Sequence, residues 1–284
     1  MRPSAHAAEV RALVVGAVSR DLELADEAGG AARAGGVVIH AGAALARLGA
    51  RTRVVTRLRP EDAPLLLAGL AAEGVETLAL PSRDTTTYAN DYSGPVDRHE
   101  LRATSDPIAP EDLPPSWRDA DLVQLGPLHR ADIRPETAAA LGGFKGLDVQ
   151  GLVRVHGPGG TRLEPYPDLA RFLAHVDVVQ ASEHELSAVL AGDSLARFVA
   201  RHAVREMIIT RGARGATVVT RGGTTDVSAD PVPDGAKAGA GDVFLAAYLC
   251  LRVRGRGPLE AAAGAARVSA LKVASGEVPR RAAT

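Results

Sequence analysis

Residues 234–249, DGAKAGAGDVFLAAYL, set one carboxylate, Asp242, between a loop of small residues and an apolar run that must be buried. Two readings follow from residue type alone. In one, Asp242 caps a helix, since Asp is among the best N-cap residues and a glycine-rich approach is an ordinary loop. In the other, Gly239, Ala240 and Gly241 let backbone N–H groups approach a ligand at the positive end of a helix beginning near Asp242, which makes an anion site. An anion and a carboxylate repel, so placing both at one helix start points to chemistry between them. Phosphoryl transfer has that geometry: the loop neutralises charge on the phosphate while the acid accepts the proton of the attacking hydroxyl. Lys237, in the same loop, is either a solvated side chain or an ammonium near phosphate groups.

The elements that must position this loop are legible as an alternation. ALVVG (12–16), TRVVTRL (52–58), VETLAL (75–80), ADLVQLG (120–126), GLDVQ (146–150), VDVVQA (176–181) and EMIITRG (206–212) read as strands. HAGAALARLGA, EDAPLLLAGLAAEG, LARFLAH and SLARFVARHAV, lying between several of them, have helical spacing. Strand–helix alternation implies a mostly parallel sheet covered on both faces, an α/β/α sandwich. Two stretches break the pattern. Residues 84–103 are polar and β-prone with a Ser-Gly-Pro turn signal, and residues 17–38 are strand-like and rich in glycine. Together they are expected to form a small β lid on one domain spanning 1–284. ATVVTRGGTTDVSA (216–229) reads as a further hairpin turning at Gly222-Gly223.

Composition narrows the partners. With 33 Lys and Arg against 34 Asp and Glu, the formal net charge is -1, which gives no electrostatic reason for nucleic acid or an anionic membrane surface. The single cysteine, Cys250, allows no internal disulfide and no thiolate zinc site, and the histidines lack metal-ligand spacing. The N-terminus has too short an apolar core for a signal peptide and no run approaches the ~18 residues of a membrane span, so a cytoplasmic location is expected.

The order of these features resembles the ribokinase-like (PfkB) carbohydrate kinases over nearly the whole chain. Four blocks carry the resemblance: GAVSRDLEL after the first strand, GGVVIHAGAALARLGA (35–50), TRGARGATV (210–218) and AGAGDVFLAAYL (238–249). The last matches the family's D-T-x-G-A-G-D-x-F pattern. TTTYANDY, LPPSWRDADLVQLGP and GLDVQGLVR look most like a bacterial branch related to myo-inositol kinases. The resemblance implies ATP and Mg2+ as cofactors, Asp242 as catalytic base, and Gly239, Ala240 and Gly241 as anion hole. It implies that Asp21 holds substrate hydroxyls, that Gly35 and Gly36 are the di-glycine where lid meets domain, and that Thr210, Gly212 and Gly215 belong to the nucleotide-binding loop. Glu185 would organise Mg2+ through water.

The departures from the family pattern are as informative. Ala236 and Lys237 replace its Asp and first Thr, Ser182 stands where many members have Asn, and His40 replaces an Asn that commonly contacts the sugar. The leading expectation is an ATP-dependent phosphotransferase acting on an alcohol group of a sugar, cyclitol or polyol. A nucleoside kinase is the alternative within enzymes, with Tyr88 and Tyr92 as the visible aromatic candidates in a chain that is 3% aromatic. A degenerate sensor that binds nucleotide or sugar without turnover is the alternative outside them. Lids pair into homodimers in some members of the family, and no exposed apolar stripe in the sequence decides the matter here.

Overall fold

The computed structural model describes residues 9–23, 32–91, 98–157, 160–232, 235 and 237–280. The Ser-Gly-Pro turn signal, Tyr92 and Ala236 lie outside them. The chain opens with β1 (Arg11–Val15), passes through β2 (Ser19–Glu23) and β3 (Arg33–Gly35) into α1 (Val37–Arg47), and returns in β4 (Arg51–Leu58). Short α2 (Ala63–Leu66) and α3 (Ala68–Ala72) lead to β5 (Glu76–Pro81), followed by β6 (Thr86–Asp91), β7 (Arg98–Ala103) and β8 (Leu122–Leu125). Next come α4 (Pro135–Ala139), β9 (Phe144–Asp148), α5 (Gln150–Val153), β10 (Arg154–Gly157), β11 (Gly160–Leu163), α6 (Leu169–Leu173) and β12 (Val178–Ser182). The chain ends with α7 (Leu186–Leu190), α8 (Leu195–His202), β13 (Glu206–Thr210), β14 (Ala216–Thr220), β15 (Gly223–Val227), α9 (Ala240–Val253) and α10 (Pro258–Ser275).

Nine strands form one sheet in the order β15-β14-β13-β12-β9-β8-β1-β4-β5, parallel from β13 to β5 and antiparallel at β13–β14 and β14–β15. Helices cover both faces, and the strands show it in their two-residue period. Ala12 and Val14 of β1 face a core shared with α1, α9 and α10, whereas Leu13 and Val15 face a core shared with α4 to α8. Helix α9 is buried from Asp242 through Leu251, so it is apolar all round rather than along one stripe.

The segments that interrupt the alternation meet in a second sheet, ordered β3-β2-β6-β7, in which β2 pairs parallel with β6 from Ser19↔Thr86 to Glu23↔Asn90. An additional hairpin, β10–β11, packs against β7 and had no counterpart among the sequence expectations. Local corrections have local causes. Helix α1 starts at Val37, before HAGAALARLGA, because Gly36 at φ 89 serves as its N-cap. The β14–β15 turn centres on Arg221 and Gly222 rather than Gly222 and Gly223, since Thr220 pairs with Gly223. Among the described residues no helix is long and apolar enough to cross a membrane.

Close approach fixes where α1 starts relative to the sheet. A Cβ on Gly126, just beyond β8, would fall on the Val37 side chain, and one on Gly16 would meet the Gly126 carbonyl. Gly126→Ala is therefore expected to destabilise the fold by about 1–3 kcal/mol through overpacking. Adding Val37→Ala should recover part of that loss, because the two positions share one space. Denaturant midpoints of the two variants and the parent measure both effects; equal stability of Gly126→Ala and parent would contradict the packing argument.

Candidate active site

A cavity of about 1100 Å3 opens between the small sheet, the β10–β11 hairpin and the carboxyl ends of the central parallel strands. Open α/β sheets place ligands there because strands end and helices begin at one edge. At its floor α9 starts. Gly239 is the N-cap at φ 73, with no side-chain cap bond, and a Cβ on it would run into the His40 ring. Asp242 is consequently the third residue of the helix, not its cap, and the capping reading of this residue is corrected. The carboxylate is 5% exposed and its Oδ1 has no hydrogen-bond partner.

Of the three residues expected to form an anion hole, one has its N–H already engaged. The Ala240 N–H donates to the Lys237 carbonyl at 3.1 Å. Gly241 and Asp242 supply first-turn N–H groups, which no intrahelical carbonyl reaches. Two buried glutamines brace this turn from the sheet. Gln124 of β8 donates to the Asp242 carbonyl at 3.1 Å, and Gln180 of β12 donates to the Gly241 carbonyl at 3.0 Å. The same Gln180 amide donates to Asp148 Oδ2 at 2.9 Å, while Asp148 Oδ1 accepts from the Gln150 N–H at 2.9 Å.

Asp148 and Asp242 both stand above the usual carboxylate range. Burial, and then the Asp148 charge, push Asp242 up to about 8, against the pull of Arg154 and Lys272. Burial, and then Glu185, push Asp148 up to about 6. Glu185 is itself 2% exposed; its Oε2 accepts from the Ser182 N–H at 2.8 Å and its Oε1 from Arg154 Nε at 2.7 Å. Magnesium, implied by the family resemblance, takes oxygen donors together with substrate phosphates and keeps several waters. Asp148 and Glu185 are oxygen donors on one wall of the cavity, already held by neighbours. They fit a magnesium ion that arrives with phosphate and is touched through water. No cluster of three or more His, Cys, Asp or Glu arranged for a metal ion occurs among the described residues.

The opposite end is lined by the small sheet. Asp21 on β2 accepts from Ser19 Oγ at 2.7 Å, and burial raises its carboxyl against the opposing effects of that bond and His99. Gly35 pairs with Ser19 across β2–β3 and does not line the cavity; a Cβ there would fall on the Asp21 carboxylate. Gly36 and His40 do line it, and burial together with Lys272 lowers His40 to about 4, so its ring is neutral at pH 7. Asn90 and His99 lie 2.7 Å apart between side-chain atoms, the Tyr88 hydroxyl donates to the Leu128 carbonyl at 2.7 Å, and His156 of β10 stands edge-on to Tyr88 at 5.2 Å.

Ser182, Thr210 and Lys237 line the cavity, but Gly212 and Gly215 sit in the turn between β13 and β14 outside its lining. Sequence reasoning had not singled out Asp148, Arg154, Gln180, Gln124, Asn90, His99 or His156 as site residues. The signal for three of them was visible: a glutamine within each of two apolar strands, and an acid in the middle of GLDVQ.

A family model for pfkB family carbohydrate kinases matches residues 11–279. No curated protein matches the chain. Among solved structures it is similar to a pyrophosphate-dependent kinase in the ribokinase family complexed with a pyrophosphate analog and myo-inositol, with TM-score 0.81 and 22% identity over 95% of this chain and 98% of that one. Ribokinase from Arabidopsis thaliana complexed with ribose and ATP gives TM-score 0.76 and 22% identity over 96% of each chain. Fructokinase from Vibrio cholerae O395 with fructose, ADP and calcium gives TM-score 0.76 and 21% identity over 96% of this chain and 97% of that one. These likenesses establish a ribokinase-like fold, and the family match over nearly the whole sequence assigns the chain: it belongs to the pfkB family of carbohydrate kinases, phosphotransferases that act on hydroxyl groups.

Proposed function

We propose that this kinase transfers a phosphoryl group from ATP to a hydroxyl of a cyclitol or related polyol, with Asp242 as general base and the first turn of α9 as anion hole. The observation that carries this reading is the unpartnered Oδ1 of Asp242, buried at the cavity floor beside Gly241. The acceptor hydroxyl gives its proton to that oxygen, its own oxygen bonds to phosphorus, and the bond from phosphorus to the leaving diphosphate breaks. Negative charge on the transferred group faces the N–H groups of Gly241 and Asp242 at the positive end of the helix. Magnesium, when bound with the donor, neutralises phosphate charge.

Asp21, Asn90 and His99 offer the acceptor directional polar contacts. This favours a hydroxyl-rich ring over a nucleoside, because Tyr88 is engaged by Leu128 and His156 and is not an open face for a base. The small sheet, which carries Asp21, Tyr88, Asn90 and His99, acts as the lid. The cyclitol assignment is supported by the branch-like blocks of the sequence and by the similarity to a kinase complexed with myo-inositol.

A second reading concerns the donor. Ser182, Glu185, Arg154, Thr210 and Lys237 give one wall of the cavity its polar side chains, and Gly212 and Gly215 stay out of it, which suits a bare phosphate chain such as pyrophosphate. The similarity to a pyrophosphate-dependent kinase supports the same reading. Assays of ATP and pyrophosphate, each with Mg2+ over a panel of sugars, cyclitols and nucleosides, separate the cases. Turnover with ATP supports the first, turnover with pyrophosphate alone moves the donor, and binding without turnover of any pair supports a sensor.

Asp242→Asn is expected to lower kcat by about 10²–10⁴-fold, the usual worth of general-base catalysis, with donor binding retained. Near-parental kcat would remove Asp242 as base. Asp21→Ala should lower kcat/KM by about 1.5–3 kcal/mol, the worth of a hydrogen bond to a charged group, and unchanged kinetics would take Asp21 out of the substrate site.

The raised acids also set pH dependence. An ionised base is required, so kcat/KM should climb with pH to about 8, the value to which Asp242 is raised. Stability should run the other way. Folding raises these carboxyls, so their contribution is fully present below about pH 4, the unfolded value, and is lost as pH rises through their folded values. Denaturant midpoints from pH 4 to 9 should fall for the parent and fall less for Asp242→Asn; parallel curves would refute the coupling.

A further inference from the structure

Helix α10 contributes no residue to the cavity lining, yet it holds the loop that makes the anion hole. Ser269 donates to the Ala240 carbonyl at 3.0 Å, and three residues later Lys272 donates through Nζ to the Ala238 carbonyl. Lys272 is 4% exposed. Lysine is almost never so buried without compensation, and an apolar side chain would fill this space on an Ala-rich helix without a desolvation cost. The charge therefore calls for a use.

Its surroundings supply one. From α9, Asp242 favours the charged form of Lys272, which burial opposes, and Lys272 in turn favours the ionised form of Asp242. From α1, His40 packs over Gly239 and is kept neutral in part by the same ammonium. Lys272 thus stands behind the loop, fixed to one of its carbonyls, within electrostatic reach of the acid that the proposed reaction ionises. A cation bonded to a peptide carbonyl also orients the loop whose next N–H groups face the phosphate.

We propose that Lys272 is a positioning residue for phosphoryl transfer: its ammonium fixes the Ala238 carbonyl and supplies a positive charge behind the anion hole. The inference rests on the phosphotransfer reading of Asp242 and the first turn of α9.

Full-length Lys272→Met and Lys272→Ala, assayed with the donor and polyol that the parent uses, test it. Loss of one charge-assisted contact predicts a kcat lower by about 10–100-fold with the polyol KM unchanged. Ammonium or methylammonium chloride should restore part of the kcat of Lys272→Ala and leave the parent unaffected, which a packing role would not produce. If these variants fold poorly by thermal melting, Lys272→Gln keeps a donor for Ala238 without the charge and should show the same fall. Parental kcat in any folded variant overturns the proposal, as does a loss with raised KM and no response to either amine. A parent without turnover on any donor–acceptor pair would instead overturn the phosphotransfer reading beneath it.

Discussion

The structure is organised around the burial of two carboxyls at one helix start. Asp148 ends β9 and Asp242 lies in the first turn of α9, and neither is exposed beyond 5%. Bringing like charges together in a dry site favours the protonated form of each, which is unfavourable for a group proposed to accept a proton at neutral pH. The surrounding residues offset that cost. The helix N-terminus favours negative charge, Gln180 and Gln150 donate to Asp148, and Arg154 and Lys272 pull against burial at Asp242. Sheet order makes the convergence geometrically available: β12, β9 and β8 are neighbours, with Gln180 in register with Asp148 and Gln124 opposite Gly146, two residues before it.

Small residues let the helices come close enough to serve that edge. A Cβ on Gly264 of α10 would press into Leu251 of α9, and one on Gly239 would displace His40 of α1. The same economy ties the small sheet to the main one. Asp132, wholly buried, accepts from the Ala17 N–H at 3.1 Å and the Leu128 N–H at 2.8 Å, joining the link between β1 and β2 to the loop after β8. Tyr88 returns from β6 to the Leu128 carbonyl. The small-sheet end of the cavity is thus assembled from two sheets around one anchored loop, whereas its floor is held by hydrogen bonds from Gln124, Gln180 and Ser269.

How much of this was legible depended on how local the signal was. The strand–helix alternation and the Gly-Ala-Gly-Asp sequence declare themselves within a few residues. The start of α9 did not, because its position is set by the left-handed φ of Gly239 three residues before Asp242, and Gly241 and Ala240 are equally plausible by type. The β10–β11 hairpin and Arg154 were hidden for a different reason. Their residues are mixed in polarity, and they acquire meaning from β7 and Glu185, both distant in sequence. Gln124 and Gln180 sat in plain view inside apolar strands. A buried amide in a parallel strand needs a partner, and asking for it would have led from both residues to α9.

In the proposed reaction the acceptor and donor ends of the cavity handle charge by different means. At the acceptor end the polar groups satisfy one another: Ser19 with Asp21 and His99 with Asn90. A neutral polyol can join such a network by exchanging hydrogen bonds, with no net charge to desolvate. At the donor end Glu185, Asp148 and Asp242 would repel a phosphate chain. Arg154 and Lys237 line the same wall, while α9 presents its positive end and Lys272 stands behind it. Arg154 spans both tasks. Paired with Glu185 at 2.7 Å and 40% exposed in its side chain, it shields one acid from Asp148 while remaining within the cavity lining. In the proposed reaction an anionic donor is therefore stabilised where the helix start and these cations converge, next to the unpartnered oxygen of Asp242 to which the acceptor hydroxyl would lose its proton.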